Sequence, residues 1–378
     1  MQNYIAKQIS GNHDKVGAVL AVLVKRTYKT DSNGYCTIAD EQLPLVNEII
    51  YYPNNNVLLE ADSDLFVQKK YCDVVIKGNA RCYGKLKKFS AGIVLGNKQF
   101  IIGVQGNQKI YLDNYGKIKF GDIEQIEEVP LRYDFAYGGK DTEAEKKIQL
   151  PAAEIQAAMP NVDWYADSPF RYPRNPEGKG YLVEMSKDMI EQLEIPNLQD
   201  PEYLLTAENI LVGDINRWTE MPIPYATGWI SHVWVPRFLY TGLAEFPYGN
   251  ARALKEMKMK WVEPDIYEKK DPAKSFNYRF FNGGHYALQL DLNHYIKECT
   301  LINIHPLNKK ITIKIPNERP KIWVDGRKGI LKETIPVMHT ILIEPDHNRL
   351  SIIWCGNAPA LRPYMEEELK TMPFKVEW

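Results

Sequence analysis

P-L-R-Y-D-F-A-Y-G-G at Pro130 to Gly139, R-Y-P-R-N-P-E-G-K-G-Y at Arg171 to Tyr181 and I-P-N-L-Q-D-P at Ile195 to Pro201 are the three stretches that decide how this chain folds. Proline fixes φ and asparagine or aspartate can bond the nearby backbone in all three stretches, and glycine permits positive φ in the first two. Each stretch therefore predicts one specific turn instead of a strand or a helix. Tryptophans 164, 218, 229 and 234 lie in or near these turns. Because burial of aromatic side chains contributes strongly to stability, we expect an ordered, irregular slab here.

Apolar, β-branched runs separated by turn sequences lie on both sides of this slab. The longest is Val16 to Tyr28, followed by the turn D-S-N-G at Asp31 to Gly34. Shorter runs before the slab predict strands at 49–52, 65–68, 73–77, 99–104, 109–112 and 117–120. Runs after it predict strands at 286–292, 299–305, 309–315, 321–324, 340–344 and 350–354.

This alternation of strands and turns is typical of an antiparallel sandwich or barrel. The sequence predicts a mainly β fold, with two antiparallel β-sandwich-like blocks joined by an ordered, irregular segment rich in proline, glycine and aromatic residues. The predicted divisions are an N-terminal β block at 1–139, a central segment at 140–275, a C-terminal β block at 276–362 and a tail at 363–378. One continuous domain is the alternative.

A few short helices are expected within and after the central segment. One begins at Pro151, because proline suits the first turn of a helix. A second covers Ser186 to Leu193, with Ser186 as its N-cap. Apolar spacing predicts two more at 235–246 and 251–261. The tail predicts a short acidic helix followed by a frayed end.

Composition excludes several classes of function. The 47 basic and 48 acidic residues leave a net charge of -1, which gives no bulk attraction to nucleic acid or to an anionic membrane. The N-terminus lacks the layout of a secretory signal, and the apolar run from Val16 to Val24 is too short to span a bilayer. The five cysteines are odd in number and widely spaced, as expected of free thiols. We expect a cytoplasmic protein without membrane insertion.

The sequence offers no catalytic constellation. G-N-H-D at Gly11 to Asp14 matches one block of the binuclear metallophosphoesterases, but the two blocks that would precede it and complete the metal site are absent. Neither a nucleophile elbow nor a phosphate-binding loop occurs. We therefore predict no catalytic residue, no metal site and no cofactor.

Arginine, tyrosine and tryptophan in the turn-rich stretches are instead the candidates for contact with a partner. These residue types are enriched at recognition surfaces. The structural alternative is that the arginines bond backbone carbonyls left free in irregular loops. The candidate partner-binding residues are Arg132, Tyr133, Tyr137, Arg171, Arg174, Asn175, Lys179, Tyr181, Trp229, Trp234, Arg237, Arg279 and Phe280.

An ordered set of motifs extends over nearly the whole chain. It begins with V-L-V-K-R-T-Y at Val22 and C-D-V-V-I-K-G-N-A at Cys72, and it includes the three turn-rich stretches. It continues with F-N-Y-R-F-F-N at Phe276, L-I-N-I-H-P at Leu301, and I-L-I-E-P-D with L-S-I-I-W-C-G from Ile341. In this order the motifs resemble a bacterial family encoded beside type VI secretion spike proteins, PAAR-tip proteins and toxic effectors.

The resemblance implies a cytoplasmic, non-catalytic adaptor or chaperone that helps to load an effector on the secretion spike. The expected partners are an effector toxin, a spike protein or a PAAR-tip protein. Two alternatives stay open at this point. One is a carbohydrate-active enzyme or glycan-binding protein with an aromatic-lined cleft, and the other is a structural part of the baseplate or spike.

Overall fold

The computed structural model describes residues 3–146, 170–241, 276–292 and 295–378. The fold is mainly β, with several sheets and a few short helices, which confirms the predicted fold class. The chain forms two compact units that are discontinuous in sequence. Unit 1 comprises Met1–Gly78, Ile93–Phe100 and Phe281–Trp378, and unit 2 comprises Asn79–Gly92 and Ile101–Phe280. The predicted division of the chain at 139, 275 and 362 stays a prediction.

The strands are short, apart from a few long ones near the chain ends. The first twelve are β1 Ile5–His13, β2 Gly17–Thr30, β3 Cys36–Ile38, β4 Ile50–Tyr51, β5 Leu59–Ala61, β6 Tyr71–Ile76, β7 Asn79–Leu86, β8 Lys88–Leu95, β9 Lys98–Gln105, β10 Ile110–Leu112, β11 Ile118–Phe120 and β12 Ile126–Pro130. The others are β13 Tyr137–Gly138, β14 Lys179–Gly180, β15 Leu198–Gln199, β16 Gln289–Asp291, β17 Glu298–Ile302, β18 Lys310–Lys314, β19 Lys321–Val324, β20 Lys332–Glu333, β21 Val337–Glu344, β22 Arg349–Pro359 and β23 Phe374–Glu377.

Helices in the described part of the chain have one or two turns. The α-helices are α1 Thr142–Glu145, α2 Lys187–Gln192, α3 Val235–Phe238 and α4 Glu366–Thr371. The 3₁₀ helices are Tyr133–Phe135, Ile215–Glu220, Leu239–Thr241, Tyr278–Phe281, Tyr286–Leu288 and Pro345–His347.

Unit 1 is built on a seven-stranded sheet with strand order β1-β2-β22-β21-β6-β16, in which β3 also pairs with β2. Strand β2 pairs antiparallel with β1 and with β22, so it lies in the interior of the sheet. Its residues Val19 to Val24 are completely buried. A strand covered on both faces requires a continuous apolar run, which is the pattern read in the sequence. Strands from the two ends of the chain thus share one sheet.

A buried polar centre joins two of the sequence motifs inside unit 1. Asp73 on β6 accepts hydrogen bonds from Lys69 Nζ at 2.8 Å and from Asn282 Nδ2 at 3.1 Å. The backbone amides of Gly283 and Gly284 donate to the same carboxylate, each at 3.2 Å. Because a buried charge is tolerated only with partners, Lys69, Asn282 and the two glycine amides stabilise the Asp73 carboxylate.

Unit 2 is assembled from small sheets and loops. Strand β7 pairs with β12, β10 with β11, β13 with β14, and β15 with β9. Helix α2 packs against the β10–β11 hairpin over a buried apolar cluster that contains Ile110, Ile118, Leu182, Met189, Ile190, Leu193, Ile195 and Ile210. This cluster fixes the hairpin and α2 together.

Most of the predicted strands are present, and the exceptions have physical reasons. The 65–68 run forms no strand, because Leu65 and Val67 pack into an apolar cluster of unit 1 without ladder pairing. The prediction missed several strands, among them β1, β7, β8 and β12. Strand β1 is an edge strand of its sheet, and only Ile5 and Ile9 of its residues pack against an apolar cluster.

The helix predictions have mixed outcomes. Helix α2 is confirmed, and Ser186 caps it by accepting from Met189 N at 3.1 Å. The 235–246 helix is confirmed over Val235–Phe238 as α3, a 3₁₀ turn follows at Leu239–Thr241, and 242–246 lie outside the described residues. The predictions at 151–159 and 251–261 lie outside the described residues. The acidic tail helix is confirmed as α4, but the predicted frayed end is wrong, because β23 pairs with β19 there.

Candidate functional site

The first two turn-rich stretches, 130–139 and 171–181, lie against each other in unit 2 and are called the loop cluster from here on. Strands β13 and β14 pair in parallel at its centre. Lys179 N donates to Ala136 O at 2.9 Å, and Tyr181 N donates to Gly138 O at 2.9 Å. Tyr172 N closes the other side by donating to Gly139 O at 2.8 Å. The two stretches are thus held together mainly by their backbones.

Glycines allow this close approach. A Cβ on Gly178 would lie 2.6 Å from Ala136 O, and one on Gly138 would collide with the carbonyl oxygen of Asn175. The Asn175 side chain fills the remaining gap, donating from Nδ2 to Tyr133 O at 2.7 Å and to Tyr137 O at 3.0 Å. Glycine is required here because any side chain would displace the neighbouring backbone.

Buried arginines connect the loop cluster to the chain around it. Arg174 donates to the Tyr172 hydroxyl at 2.7 Å, to Met221 O at 3.0 Å and to Thr219 O at 3.1 Å. Arg237 donates to Ile230 O at 2.9 Å and to Phe280 O at 2.8 Å. Carbonyls that have no ladder partner are satisfied in this way.

Packed tyrosine rings add apolar contact beneath the loops. The Tyr172 ring centroid lies 4.9 Å from that of Tyr137 and 5.2 Å from that of Tyr181. Burial raises the pKa of all three hydroxyls above the ordinary tyrosine value.

Burial divides the thirteen candidate residues into two groups. Eight are at most 4% exposed and offer almost no surface to a partner, which makes them scaffold: Tyr133, Tyr137, Arg174, Asn175, Tyr181, Trp229, Trp234 and Arg237. Five are half-buried and keep accessible surface: Arg132, Arg171, Lys179, Arg279 and Phe280. The expectation of partner contact is therefore restricted to the second group.

A pocket of about 300 Å³ opens beside the loop cluster. Its wall is formed mainly by the glycine-rich backbone and by α2 with the residues that follow it. The lining residues are Gly138, Gly139, Lys140, Thr142, Pro176, Glu177, Gly178, Lys179, Gly180, Tyr181, Met189, Gln192, Leu193 and Glu194. A wall of backbone fixed by hydrogen bonds keeps its shape without an occupant.

Two of the accessible candidates meet beside this pocket on Phe135. The Arg132 guanidinium carbon lies 5.4 Å and Lys179 Nζ 5.2 Å from the Phe135 ring centroid. Lys179 also forms an ion pair with Glu194 at 2.7 Å. Arg132 in turn donates from Nε to Asp134 Oδ1 at 3.0 Å. Arg132, Phe135 and Lys179, called the cation–aromatic cluster below, therefore combine one ring with two cations that are each paired with a carboxylate. Phe135 was not among the candidates, although it lies within the first quoted stretch.

The three other accessible candidates have different neighbours. Arg171 pairs with Glu145, with Nε and Oε1 2.7 Å apart. Arg279 lies over the Tyr240 ring, 5.5 Å from its centroid. Phe280 packs edge-on against His232 at 5.4 Å.

Asp141 also shapes the site, and sequence reasoning missed it. It is completely buried. Its Oδ1 accepts from Ala144 N at 2.9 Å as the N-cap of α1, and its Oδ2 accepts from Val183 N at 3.0 Å and Glu184 N at 2.9 Å. The available signal was an aspartate directly before a run rich in Glu and Ala, a typical helix start.

The described residues lack two kinds of feature. No group of three or more histidine, cysteine, aspartate or glutamate residues has the arrangement of a metal site. Within the same residues, no helix has the length and apolarity required to cross a membrane.

The fold and the site define a mainly β bacterial protein with a glycine-walled pocket in its loops. The chain belongs to a family described as uncharacterized proteins conserved in bacteria, DUF2169, whose model matches residues 16–355. Neither the curated proteins nor the solved structures contain a match to this chain.

Proposed function

We propose that this protein is a cytoplasmic, non-catalytic adaptor that binds a type VI secretion effector, a spike protein or a PAAR-tip protein and assists effector loading. The resemblance of the ordered motifs motivates the choice of partner. The observation that carries the binding role is the fixed pocket bordered by the cation–aromatic cluster.

The pocket suits a side chain or a short turn of another protein. A cavity of about 300 Å³ is at the small end of ligand sites and can take one large anchor residue. Binding such an anchor costs little reorganisation, because the wall is already held by backbone hydrogen bonds and the buried Asn175. Arg132 and Lys179 at the border would then interact with carbonyls or carboxylates of the partner.

The distribution of the aromatic rings favours this proposal over a glycan-binding protein. Stacking of sugars requires ring faces that are open to solvent in a cleft. Trp218, Trp229 and Trp234 are each at most 4% exposed, and Tyr181 in the pocket lining is completely buried. We therefore propose protein binding as the single function.

The test is affinity capture of the full-length chain from the native bacterium under secretion-active conditions, followed by mass spectrometry. We expect a spike, tip or toxin protein among the captured proteins. The double variant Arg132→Glu/Lys179→Glu should lower recovery about tenfold, because it reverses two charges at the pocket.

The matched control is Lys187→Glu/Arg217→Glu, which reverses two exposed cations elsewhere in unit 2. It should leave recovery unchanged. Failure of the wild-type chain to capture any of these proteins would contradict the proposed function. Equal losses in both double variants would contradict the pocket as the binding site.

A further inference from the structure

The β10–β11 hairpin has two faces of opposite character. Ile110 and Ile118 point into the apolar cluster beneath α2, and Leu112 and Phe120 pack at its border. Side chains alternate along a strand, so the residues between these four point away from the cluster. The outward face carries Lys109, Tyr111, Lys117 and Lys119, all exposed. We call it the hairpin face.

Tyrosine exposure on the hairpin is high. Tyr111 lies directly opposite Lys119 in the antiparallel pair and is 52% exposed. Tyr115 is at the tip and is 89% exposed. Tyrosine contributes large contact area at low conformational cost, and exposed tyrosines beside cations are typical of recognition surfaces.

The tip that carries Tyr115 is held in one conformation. Asp113 Oδ1 accepts from Tyr115 N and from Lys117 N, both at 2.9 Å. Gly116 N donates to Asp113 O at 2.9 Å, and Gly116 adopts a φ of 71°. The hairpin therefore presents its side chains from a fixed backbone, which lowers the entropic cost of binding.

The lysines of the hairpin face are available for a partner. Among the described residues, neither Lys117 nor Lys119 has an ion-pair partner within 4 Å. The nearby Asp113 carboxylate is occupied by two backbone amides, which together with Lys119 and Lys117 hold its pKa below the ordinary value. Three cations and two tyrosines thus share one surface. The carboxylates of Asp113 and Glu208 interact electrostatically with Lys119, and that of Asp113 also with Lys117, but neither lysine forms an ion pair with a described residue.

We infer that the hairpin face binds an acidic, extended segment of a protein partner. This inference rests on the proposed function and adds the chemistry of the recognised segment. Carboxylates on alternate residues of an extended segment point to one side and match lysines on alternate positions of a strand. Aliphatic carbons between them would lie on the tyrosine rings.

A nucleic acid is the less favourable occupant. Proteins that bind polyanions carry many basic residues over a long surface, whereas this chain has a net charge of -1. A surface of three lysines provides few phosphate contacts.

The test is fluorescence anisotropy of the full chain with a fluorescein-labelled peptide that alternates glutamate and valine over twelve residues. We expect binding that weakens about tenfold in Lys109→Glu/Lys117→Glu/Lys119→Glu, because each lysine contributes attraction to a carboxylate. Tyr111→Ala/Tyr115→Ala should also weaken it about tenfold, through loss of contact area. Circular dichroism checks that each variant is folded.

Lys85→Glu/Lys87→Glu/Lys88→Glu is the matched control, because it makes the same change of charge at three exposed lysines elsewhere in unit 2. The inference requires that this control keep the wild-type affinity. Equal weakening in both triple variants overturns it, as does the absence of peptide binding. Tighter binding of a fifteen-nucleotide poly-dT probe also overturns it, in favour of nucleic acid.

Native-cell capture separates this inference from the proposed function. If the wild-type chain and the hairpin triple variant capture the same spike, tip or toxin protein equally, the hairpin inference fails and the adaptor function stands. If the wild-type chain captures none of them while the affinity for the peptide still depends on the hairpin lysines, the adaptor function fails and recognition of an acidic segment stands.

Discussion

The loop cluster and the β10–β11 hairpin are built from the same residue types and use them in opposite ways. Both combine glycine turns, tyrosines and basic side chains. Tyr137, Tyr172 and Tyr181 of the loop cluster are at most 1% exposed, whereas Tyr115 at the hairpin tip is 89% exposed. The residue type therefore does not decide whether a side chain is buried or exposed. The packing of other segments of the chain against it does.

A second pair of turns supports this conclusion. D-S-N-G at Asp31 and D-N-Y-G at Asp113 form the same turn, in which aspartate Oδ1 accepts from the amides two and four residues later. The first turn is packed, because Lys314 N donates to Gly34 O at 2.7 Å. Gly116 of the second has nothing near its Cβ position. The same local hydrogen bonds thus form a packed connection at Asp31 and an exposed tip at Asp113.

The largest effect is expected for Gly178→Ala in the loop cluster. An added methyl group would lie 2.5 Å from Asn175 Nδ2 and 2.6 Å from Ala136 O, so the two loops must separate. We expect a loss of about 4 kcal/mol in the free energy of unfolding, measured by urea denaturation. Gly228→Ala is the control, because the nearest atom is 3.9 Å away. If the Gly178→Ala variant were as stable as the wild type, close backbone contact would not be what holds the two stretches of the loop cluster together.

Arg174→Ala should have the next largest effect. It removes three donors to Tyr172, Met221 and Thr219 and leaves buried acceptors unpaired. We expect a loss of about 3 kcal/mol in the free energy of unfolding. Arg217→Ala, which removes an ion pair with Glu220 in which both side chains are 58% exposed, should cost less than about 1 kcal/mol. Similar denaturation midpoints for the two variants would remove the distinction between scaffold and accessible arginines.

The paired turns can be compared through their glycines. Gly116→Ala should cost about 1 kcal/mol, because alanine is strained at a φ of 71° but meets no neighbour. Gly34→Ala should cost at least about twice as much, because its methyl group would also collide with Thr312 O. Thermal unfolding measures both changes. Equal losses would mean that packing around Gly34 adds nothing to the strain of the turn.

The smallest effect concerns the titration of Asp113. Hydrogen bonds from Lys117 N and Tyr115 N lower its pKa below 3.8. Since the folded pKa lies below the unfolded one, the carboxylate stabilises the turn above the unfolded pKa, and this contribution is lost as pH falls through the folded pKa. The NMR amide shifts of Tyr115 and Lys117 should therefore titrate below pH 3.8, and Asp113→Asn should abolish the titration. A midpoint at the ordinary value would contradict the locked tip.

Periodicity and turn chemistry predicted much of the fold. The apolar run from Val16 to Tyr28 predicted β2, and the 321–324 strand has its predicted bounds as β19. Strand β1 escaped prediction, because only Ile5 and Ile9 of its nine residues pack against an apolar cluster and its order depends on pairing with β2. The units could not be predicted, because β2 pairs with β22, more than three hundred residues away in sequence.

The candidate site was predicted in part. The sequence identified the stretches that form the loop cluster. The alternative expectation, that arginines bond backbone carbonyls left free in irregular loops, holds for Arg174 and Arg237. It could not separate the buried residues from the accessible ones, because burial depends on contacts between distant loops. The hairpin face was overlooked, since only the packing of Ile110 and Ile118 shows which side of the hairpin is covered.

The sequence by itself determined the mainly β fold and the irregular turns of the central segment, because side-chain period, proline and glycine act over a few residues. Only the tertiary structure decided which tyrosines and arginines support the loops and which face solvent. Exposure is set by neighbours far away in the chain, and no local pattern records them.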